Sequence, residues 1–379
     1  MKYFDYAASC PLDTEAAELY VKAATDYYGN SQSLHDVGHV ANTFLENCRK
    51  EFSKLLNVET NGIFFTSGGS ESNLLGIRAL LSAPLKKGKH IVTSMAEHAS
   101  ILHVMKMLET EGYEVTYLPL NTQGQVEVAV FKQVLRDDTI LVSIQHANPE
   151  IGTLQPILEL AALCHQQQVL LHSDCVQSFG KTPIQEVAQA VDALSISGHK
   201  FYGPKGTGVA YVNPRVAWKP FLEGTTHEKG FRPGTVNVPG ILAMTLAAQK
   251  VASSLYEEMD RFTFLRKTFL EELEEVKAQI TVYPGQLPGM IGMRIHGVEG
   301  QWVMLECNRH GYAISTGTAC HTGMLEPSKT MTAIGVKEKS AKEFFRISFG
   351  KQTTEKDVRE LALLLAKLAQ QEVVTELPL

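Results

Sequence analysis

Lys200 stands directly after an apolar run in "ALSISGHKFYGPKGTG" (193–208), in a loop with four glycines. A lysine in such a tight, partly desolvated loop has a lowered amine pKa and becomes a nucleophile toward an aldehyde. A carboxylate, Asp174, closes another apolar run, "VLLHSD" (169–174), and Gln177 follows it. The turn "TSGGSESN" (66–73), with Gly69 and Ser70 at its centre, places small and hydroxyl residues at a strand-to-helix junction. Backbone N–H groups and the helix dipole there make a phosphate cradle. The turn lacks the Lys-Ser/Thr pair of a nucleoside-triphosphate loop.

Lysine, carboxylate and phosphate cradle are the set that a pyridoxal phosphate enzyme needs, for the aldehyde, the pyridinium nitrogen and the phosphate respectively. A further group lies far along the chain, where "STGTACHTGMLEPS" (315–328) sets Cys320 among small and polar residues. A thiolate in such a setting can attack a ligand. Arg346, in "FFRISFG" (344–350), is a candidate fork for a substrate carboxylate. Taken singly, each residue has a plainer reading. Lys200 is then a surface lysine, Asp174 a strand-end carboxylate bonded to backbone and His98 a helix-start histidine. Gln177 is a turn residue, Cys320 an incidental thiol and Arg346 a sheet-edge arginine. Their placement along one edge is what gives them weight.

That edge follows from the elements. Short β-rich runs at 63–66, 90–94, 115–120, 139–145, 169–174, 193–197 and 208–212 alternate with stretches whose apolar residues recur every three or four positions. Near-continuous apolar strands separated by helices predict an α/β fold, a mostly parallel seven-stranded sheet covered on both faces. In such sheets ligands bind beyond the carboxyl ends of the strands, where Glu97-His98, His146-Ala147-Asn148, Asp174 and His199-Lys200 all fall. A Gly/Pro/charge-rich loop (213–240) leads to a long helical stretch, and the remainder reads as a small α+β unit. The expected division is a large unit over 12–250 and a small one over 251–379, joined by residues 1–11. The chain closes on a helix marked by a capping box, Thr354 with Asp357, and an apolar stripe of Val358, Leu361, Ala362, Leu365 and Leu368.

Composition narrows the class further. The chain has 379 residues, 44% hydrophobic and 20% charged, with a net charge of −6. That balance argues against nucleic acid or an anionic membrane as a principal partner. No apolar run approaches the length of a spanning helix, and the first residues carry no signal-peptide core. Six cysteines without a CxxC pair form neither a disulfide framework nor a zinc pattern, so the expectation is a reducing cytoplasm and no metal. Cys10, Cys48, Cys164 and Cys307 read as filling residues, and Cys175 as packing beside Asp174.

The order of motifs adds a resemblance. "FDYAAS", "YGNSQSLH", "FTSGGSESN", "TSMAEH", "HANPEIG", "HSDCVQSFGK", "SGHKFYGPKGTG", "RPGT", "TGTAC" and "EPS" run through nearly the whole chain. In this order they resemble the cysteine desulfurases of the class V aminotransferase group, fold type I pyridoxal phosphate enzymes. The resemblance implies pyridoxal 5'-phosphate bound covalently by Lys200, with His98 over the ring, Asp174 on the ring nitrogen and Gln177 on the ring oxygen. It implies a phosphate site of Gly69, Ser70, Ser197 and His199, with Thr235 supplied by the second chain of a homodimer. Arg346 would hold the carboxylate of L-cysteine. Cys320 would take the sulfur as a persulfide, releasing alanine, and pass it to an acceptor for iron–sulfur cluster or thio-cofactor synthesis. The "SxGxAC" context resembles the subgroup with the longer cysteine loop. Two positions depart from the family pattern. Pro149 stands where asparagine is usual near the ring oxygen, so that contact is lost or passes to Asn148 or water. His321 follows Cys320 where a small hydroxyl residue is common. An aminotransferase, or a lyase of the same fold acting on selenocysteine, needs Lys200 and Asp174 but no cysteine at 320. A non-catalytic sulfur-carrier scaffold would not need Lys200.

Overall fold

The structure, a computed structural model, describes residues 1–316 and 328–370. The chain opens with a two-residue strand, β1 (Lys2–Tyr3), and then lays down the strands of the large sheet. These are β2 (Ile63–Thr66), β3 (His90–Ser94), β4 (Glu114–Leu118), β5 (Thr139–Ser143), β6 (Leu170–Asp174), β7 (Ala193–Ser197) and β8 (Gly208–Val212). Their order across the sheet is β2-β8-β7-β6-β5-β3-β4. Pairs β7 to β6, β6 to β5, β5 to β3 and β3 to β4 are parallel, and β8 alone runs against both its neighbours. Every residue of β2, β3, β5, β6, β7 and β8 is buried. That explains the continuous apolar runs, because helices cover both faces.

Two expected strands end early for physical reasons. The run 115–120 leaves the sheet at Leu118, since Pro119 has no N–H for the ladder. The run 139–145 stops at Ser143. Beyond it the Gln145 N–H turns instead to both oxygens of Glu97, at 3.1 and 3.0 Å.

A second, smaller sheet is antiparallel. It joins β9 (Ile280–Val282), β10 (Met290–Ile295) and, after β11 (Tyr312–Ala313), β12 (Phe344–Ser348), in the order β12-β10-β9. Helices Leu255–Glu271 and Glu355–Gln370 pack with it around Phe269, Ile291, Met293, Phe345 and Leu361. The last helix begins with the reciprocal cap seen in the sequence: the Thr354 hydroxyl donates to Asp357 at 2.6 Å, and the Asp357 N–H donates to that hydroxyl at 3.2 Å. Its five stripe residues are all buried. A 65° bend separates helix Val238–Ser253, packed on the large sheet's side, from helix Leu255–Glu271. No single helix among the described residues is long and apolar enough to cross a membrane.

The N-terminus ties the two sheets together. β1 pairs in parallel with β11, and Asp5 bridges to Ser348. The chain then crosses to the large sheet, where the Cys10 N–H donates to the His199 carbonyl at 2.8 Å and Asp13 N–H to the Tyr202 carbonyl at 2.9 Å.

Candidate active site

The carboxyl ends of β2, β6 and β7 meet at one place. After β2, the chain turns through Gly68, whose φ of 145° lies in a region open to glycine, into helix Gly69–Ser82, whose first turn no side chain caps. A Cβ on Gly69 would come within 2.8 Å of Val176 and 3.4 Å of the Ser197 Cβ, so only glycine lets this turn approach both neighbouring strand ends. Gly69, Ser70 and Ser197 thus form a concave anion cradle at a helix start. Beyond it, His199 Nδ1 is 3.2 Å from the Ser9 hydroxyl, and burial holds its imidazole down to about 4. It is therefore neutral in ordinary buffers.

Asp174 closes β6 and is buried. One of its oxygens accepts from the Val176 N–H at 2.9 Å and the other from the Asn73 amide at 2.8 Å. Asn73 also donates to the Ser100 hydroxyl at 3.0 Å, and Ser100 lies 2.8 Å from His98 Nδ1. His98 is the N-cap of helix Ala99–Thr110. Its Nδ1 accepts from the Ser100 N–H at 3.2 Å, so the neutral ring carries its proton on Nε2. A continuous polar chain therefore runs from Asp174 through Asn73 and Ser100 to His98.

Lys200 ends the short 3₁₀ turn Gly198–Lys200 that follows β7. Its Nζ donates to the carbonyls of Ala7 and Ala8 at 2.8 and 2.9 Å, with no carboxylate in contact. Burial, then the positive charges of Lys181 and Arg346, bring its amine down to about 8, against the pull of Cys10 and Asp174. Gln177 bonds to the same N-terminal segment, donating to the Ala7 carbonyl at 2.8 Å and accepting from Lys181 Nζ at 2.7 Å. Its amide keeps one further N–H for another acceptor.

Arg346 reaches the site from β12. Nη2 meets Asp5 at 2.6 Å and Nη1 the Pro149 carbonyl at 2.7 Å, while its buried Nε has no partner among the described residues. A buried guanidinium N–H without an acceptor is costly, and a carboxylate is the acceptor its geometry suits. Arg346 also exchanges backbone hydrogen bonds with Ser315 at 2.6 and 3.1 Å. On the far side of position 320, Ser328 donates to Glu150. Cys320 and His321 themselves lie outside the described residues. The described cysteines are all free and buried. Burial pushes Cys48 up to about 11 and Cys164, Cys175 and Cys307 up to about 12, so these thiols stay protonated. Cys10, read as filler, instead touches the site, donating to the Lys200 carbonyl at 3.3 Å.

Two expected residues sit differently. Asn148 does not offer its side chain to the cluster as a free group. Its oxygen accepts from the N–H groups of Glu150 and Ile151 at 2.9 and 3.0 Å, and its nitrogen donates to Thr330 at 3.0 Å. It braces a loop. Thr235 is exposed, three residues past Arg232, whose guanidinium pairs with Glu71 in the first turn of the cradle helix at 3.2 Å. Sequence reasoning missed Asn73, Lys181 and Asp5. The signals were present for two of them: Asn73 is one helical turn from Gly69, and Lys181 is four residues from Gln177.

An amine with a lowered pKa, a buried carboxylate, a glycine turn at a helix start and a guanidinium N–H unpaired among the described residues fit a ligand carrying an aldehyde, a phosphate, a basic ring nitrogen and an amino acid carboxylate. The chain belongs to the class-V aminotransferase family, described as "Aminotransferase class-V", which matches residues 2–361. Among its relatives, a Bacillus subtilis protein named "Putative cysteine desulfurase NifS" is 45% identical over 95% of this chain and 93% of its own length. A solved structure titled "NIFS-LIKE PROTEIN" superimposes with a TM-score of 0.89 at 30% identity, covering 97% of this chain and 98% of that one. Another, titled "SspA in complex with cysteine", has a TM-score of 0.79 at 30% identity, covering 92% and 99%.

Proposed function

We propose that this chain is a pyridoxal 5'-phosphate-dependent cysteine desulfurase, converting L-cysteine to L-alanine and holding the released sulfur as a persulfide on Cys320. The observation that carries the reading is the Lys200 amine, bonded only to two backbone carbonyls and brought to about 8, between the Asp174 strand end and Arg346. The cofactor, when bound, supplies an aldehyde for amine capture and a protonated ring that draws electron density from the substrate's Cα.

The chain's own residues have separate tasks. Gly69, Ser70, Ser197 and His199 hold the phosphate, with Thr235 from the second chain of a homodimer. Asp174, kept in place by Asn73 and Val176, receives the ring N–H, and Gln177 turns its remaining N–H to the ring oxygen. Lys200, neutral in part near pH 7, is the nucleophile toward the aldehyde. Arg346 receives the substrate carboxylate on Nε. His98 holds or moves a proton at Nε2. The Cys320 thiolate attacks the substrate's sulfur. An S–S bond forms, the C–S bond breaks, and the carbon takes a proton to leave as alanine. The bend near residue 254 supports a large unit over 12–250 and a small one over 251–379, joined by 1–11. The unpaired buried thiols suit the cytoplasm, and a sulfur-accepting protein is the expected partner.

The test separates Lys200 from Cys320. Wild-type protein given L-cysteine should gain one removable sulfur atom on the peptide containing Cys320 and release alanine. Cys320→Ala should keep the cofactor and its colour change with L-cysteine yet release almost no alanine. Lys200→Ala should lose covalent attachment of the cofactor to the chain. Full alanine release by Cys320→Ala would replace this reading with that of a simple lyase.

A further inference from the structure

Lys181 is a half-buried cation that the chemistry above does not use. It stands four residues after Gln177, past a tight turn at Gly180 with φ of 72°. Its Nζ donates to Gln177 Oε1 at 2.7 Å, and no carboxylate pairs with it among the described residues. Lys181 and Lys200 line one partly open pocket together with Cys10, Tyr202 and Lys351. Glu258 lines this space too, but neither ammonium pairs with a carboxylate among the described residues.

An ammonium can only donate and a carbonyl can only accept. With Lys181 on one end and the Ala7 carbonyl on the other, the Gln177 amide has a single workable orientation: oxygen toward Lys181, NH2 toward Ala7. The same Ala7 carbonyl accepts from Lys200 at 2.8 Å. We propose that Lys181 is a positioning residue for the reaction. Its ammonium fixes the N–H edge of Gln177 toward the site and opposes, as a second positive charge, the protonation of Lys200. The inference rests on the reading of Lys200 as the cofactor-binding lysine.

Several charges act on these two amines. From the N-terminal segment comes Cys10, from β6 Asp174, from β12 Arg346, and Lys351 and Glu258 line the shared pocket. His98 and His199 lie on the cradle side, where His199 is neutral. After burial, Lys181 is the largest influence holding the Lys200 amine down. Burial brings Lys181 itself to about 8, so it is mostly an ammonium at pH 7 and its hold on Gln177 weakens above that value. A neutral amine can accept as well as donate, and the amide then loses its single orientation.

The test measures the Lys200 amine directly, in full-length protein depleted of cofactor. Limiting acetic anhydride is applied across pH 6–10, and modification of the Lys200 peptide is quantified by mass spectrometry. Lys181→Met should raise the Lys200 midpoint by about one pH unit, roughly tenfold less free amine at a given pH. Lys181→Arg should stay close to wild type because the charge remains. In reloaded protein, the pH midpoint of the cofactor's visible absorption should move upward in the Met variant and not in the Arg variant. Lys181→Gln repeats the charge loss if the Met variant does not fold. The proposal is overturned if a folded neutral variant keeps the wild-type midpoint, or if Arg shifts it as Met does. If wild type forms no alanine from L-cysteine while the midpoint still shifts, the desulfurase reading fails and the role of Lys181 stands.

Discussion

Glu228→Ala should be among the most destabilising single changes in this chain, though the residue lies in a loop and touches no expected ligand. Its carboxylate forms a fork with Arg49, Oε2 to Nη1 and Oε1 to Nη2, both at 2.9 Å, and the two side chains are 1% and 2% exposed. Oε2 also accepts from the Phe65 N–H at 2.7 Å, and Arg49 Nη1 donates to the Ile63 carbonyl at 2.5 Å. β2 is the edge of the large sheet, so the pair satisfies the outward groups a further strand would have taken. β2 in turn leads into the cradle at Gly68–Ser70. Removing Glu228 leaves a buried guanidinium without its counter-ion, a loss of about 3–5 kcal/mol. With a urea slope of about 3 kcal/mol per molar, the midpoint of unfolding should fall by roughly 1–1.7 M. Adding Arg49→Met to Glu228→Ala should cost less than Arg49→Met alone, because it removes the stranded guanidinium and leaves no carboxylate unpaired. Equilibrium urea unfolding of the single and double variants measures this. A loss below about 1 kcal/mol for Glu228→Ala, or simple additivity, would refute the argument that the pair caps the edge.

Three further outcomes are expected. Asn73→Ala removes a donor from the Asp174 carboxylate, a charge-assisted bond worth about 1.5–3 kcal/mol, so cofactor affinity by fluorescence titration should fall at least about tenfold. An unchanged affinity would show that Asp174 needs no support from Asn73. Lys181 has a folded pKa of about 8 against an ordinary 10.5. Between these values the unfolded chain binds the extra proton, so folding stability rises with pH across that window. The difference, 10.5 − 8 = 2.5 units, is at most about 3.4 kcal/mol. Urea unfolding at pH 8 and pH 10 should therefore show wild type gaining on Lys181→Met, and parallel curves would contradict the burial assigned to Lys181. Alkylation of native protein at pH 8, mapped by peptide, should modify Cys320 well ahead of Cys175, whose thiol is pushed up to about 12. Comparable rates would remove the distinction on which the persulfide assignment rests.

The large sheet was legible because burial on both faces forces long apolar runs, and its polar edge because strand ends collect ligand-facing residues. Lys200, Asp174 and Gly69 could be placed on one edge from that pattern, whereas Ser197 came only with the family resemblance. Glu228 could not. It sits in a Gly/Pro/charge-rich segment that reads as solvated, and only the fold brings it 163 residues back along the chain to Phe65. Asn148 has a second task that the sequence did not show. Its position beyond a strand end marks it for the site, but its own backbone neighbours Glu150 and Ile151 claim its side chain, as Asx turns do. Lys181 failed to stand out because a lysine after a glycine turn ordinarily faces water.

Arg346 shows what these misreadings have in common. Its guanidinium is held on Nη2 by Asp5 and on Nη1 by the carbonyl of Pro149, and Nε has no acceptor among the described residues. The Asp5 carboxylate orients the fork before any substrate arrives, which lowers the ordering cost of binding. It also stands near any incoming carboxylate as a like charge, which limits the affinity gained. A backbone carbonyl is available from any residue at position 149, so proline leaves the grip on Arg346 intact while removing the side-chain amide usual in similar proteins. Proline at 149 thus leaves the contact to Arg346 unchanged, and one N–H of the neighbouring Asn148 amide is still uncommitted. Gln177 is a donor held in place by the structure, and its orientation depends on Lys181.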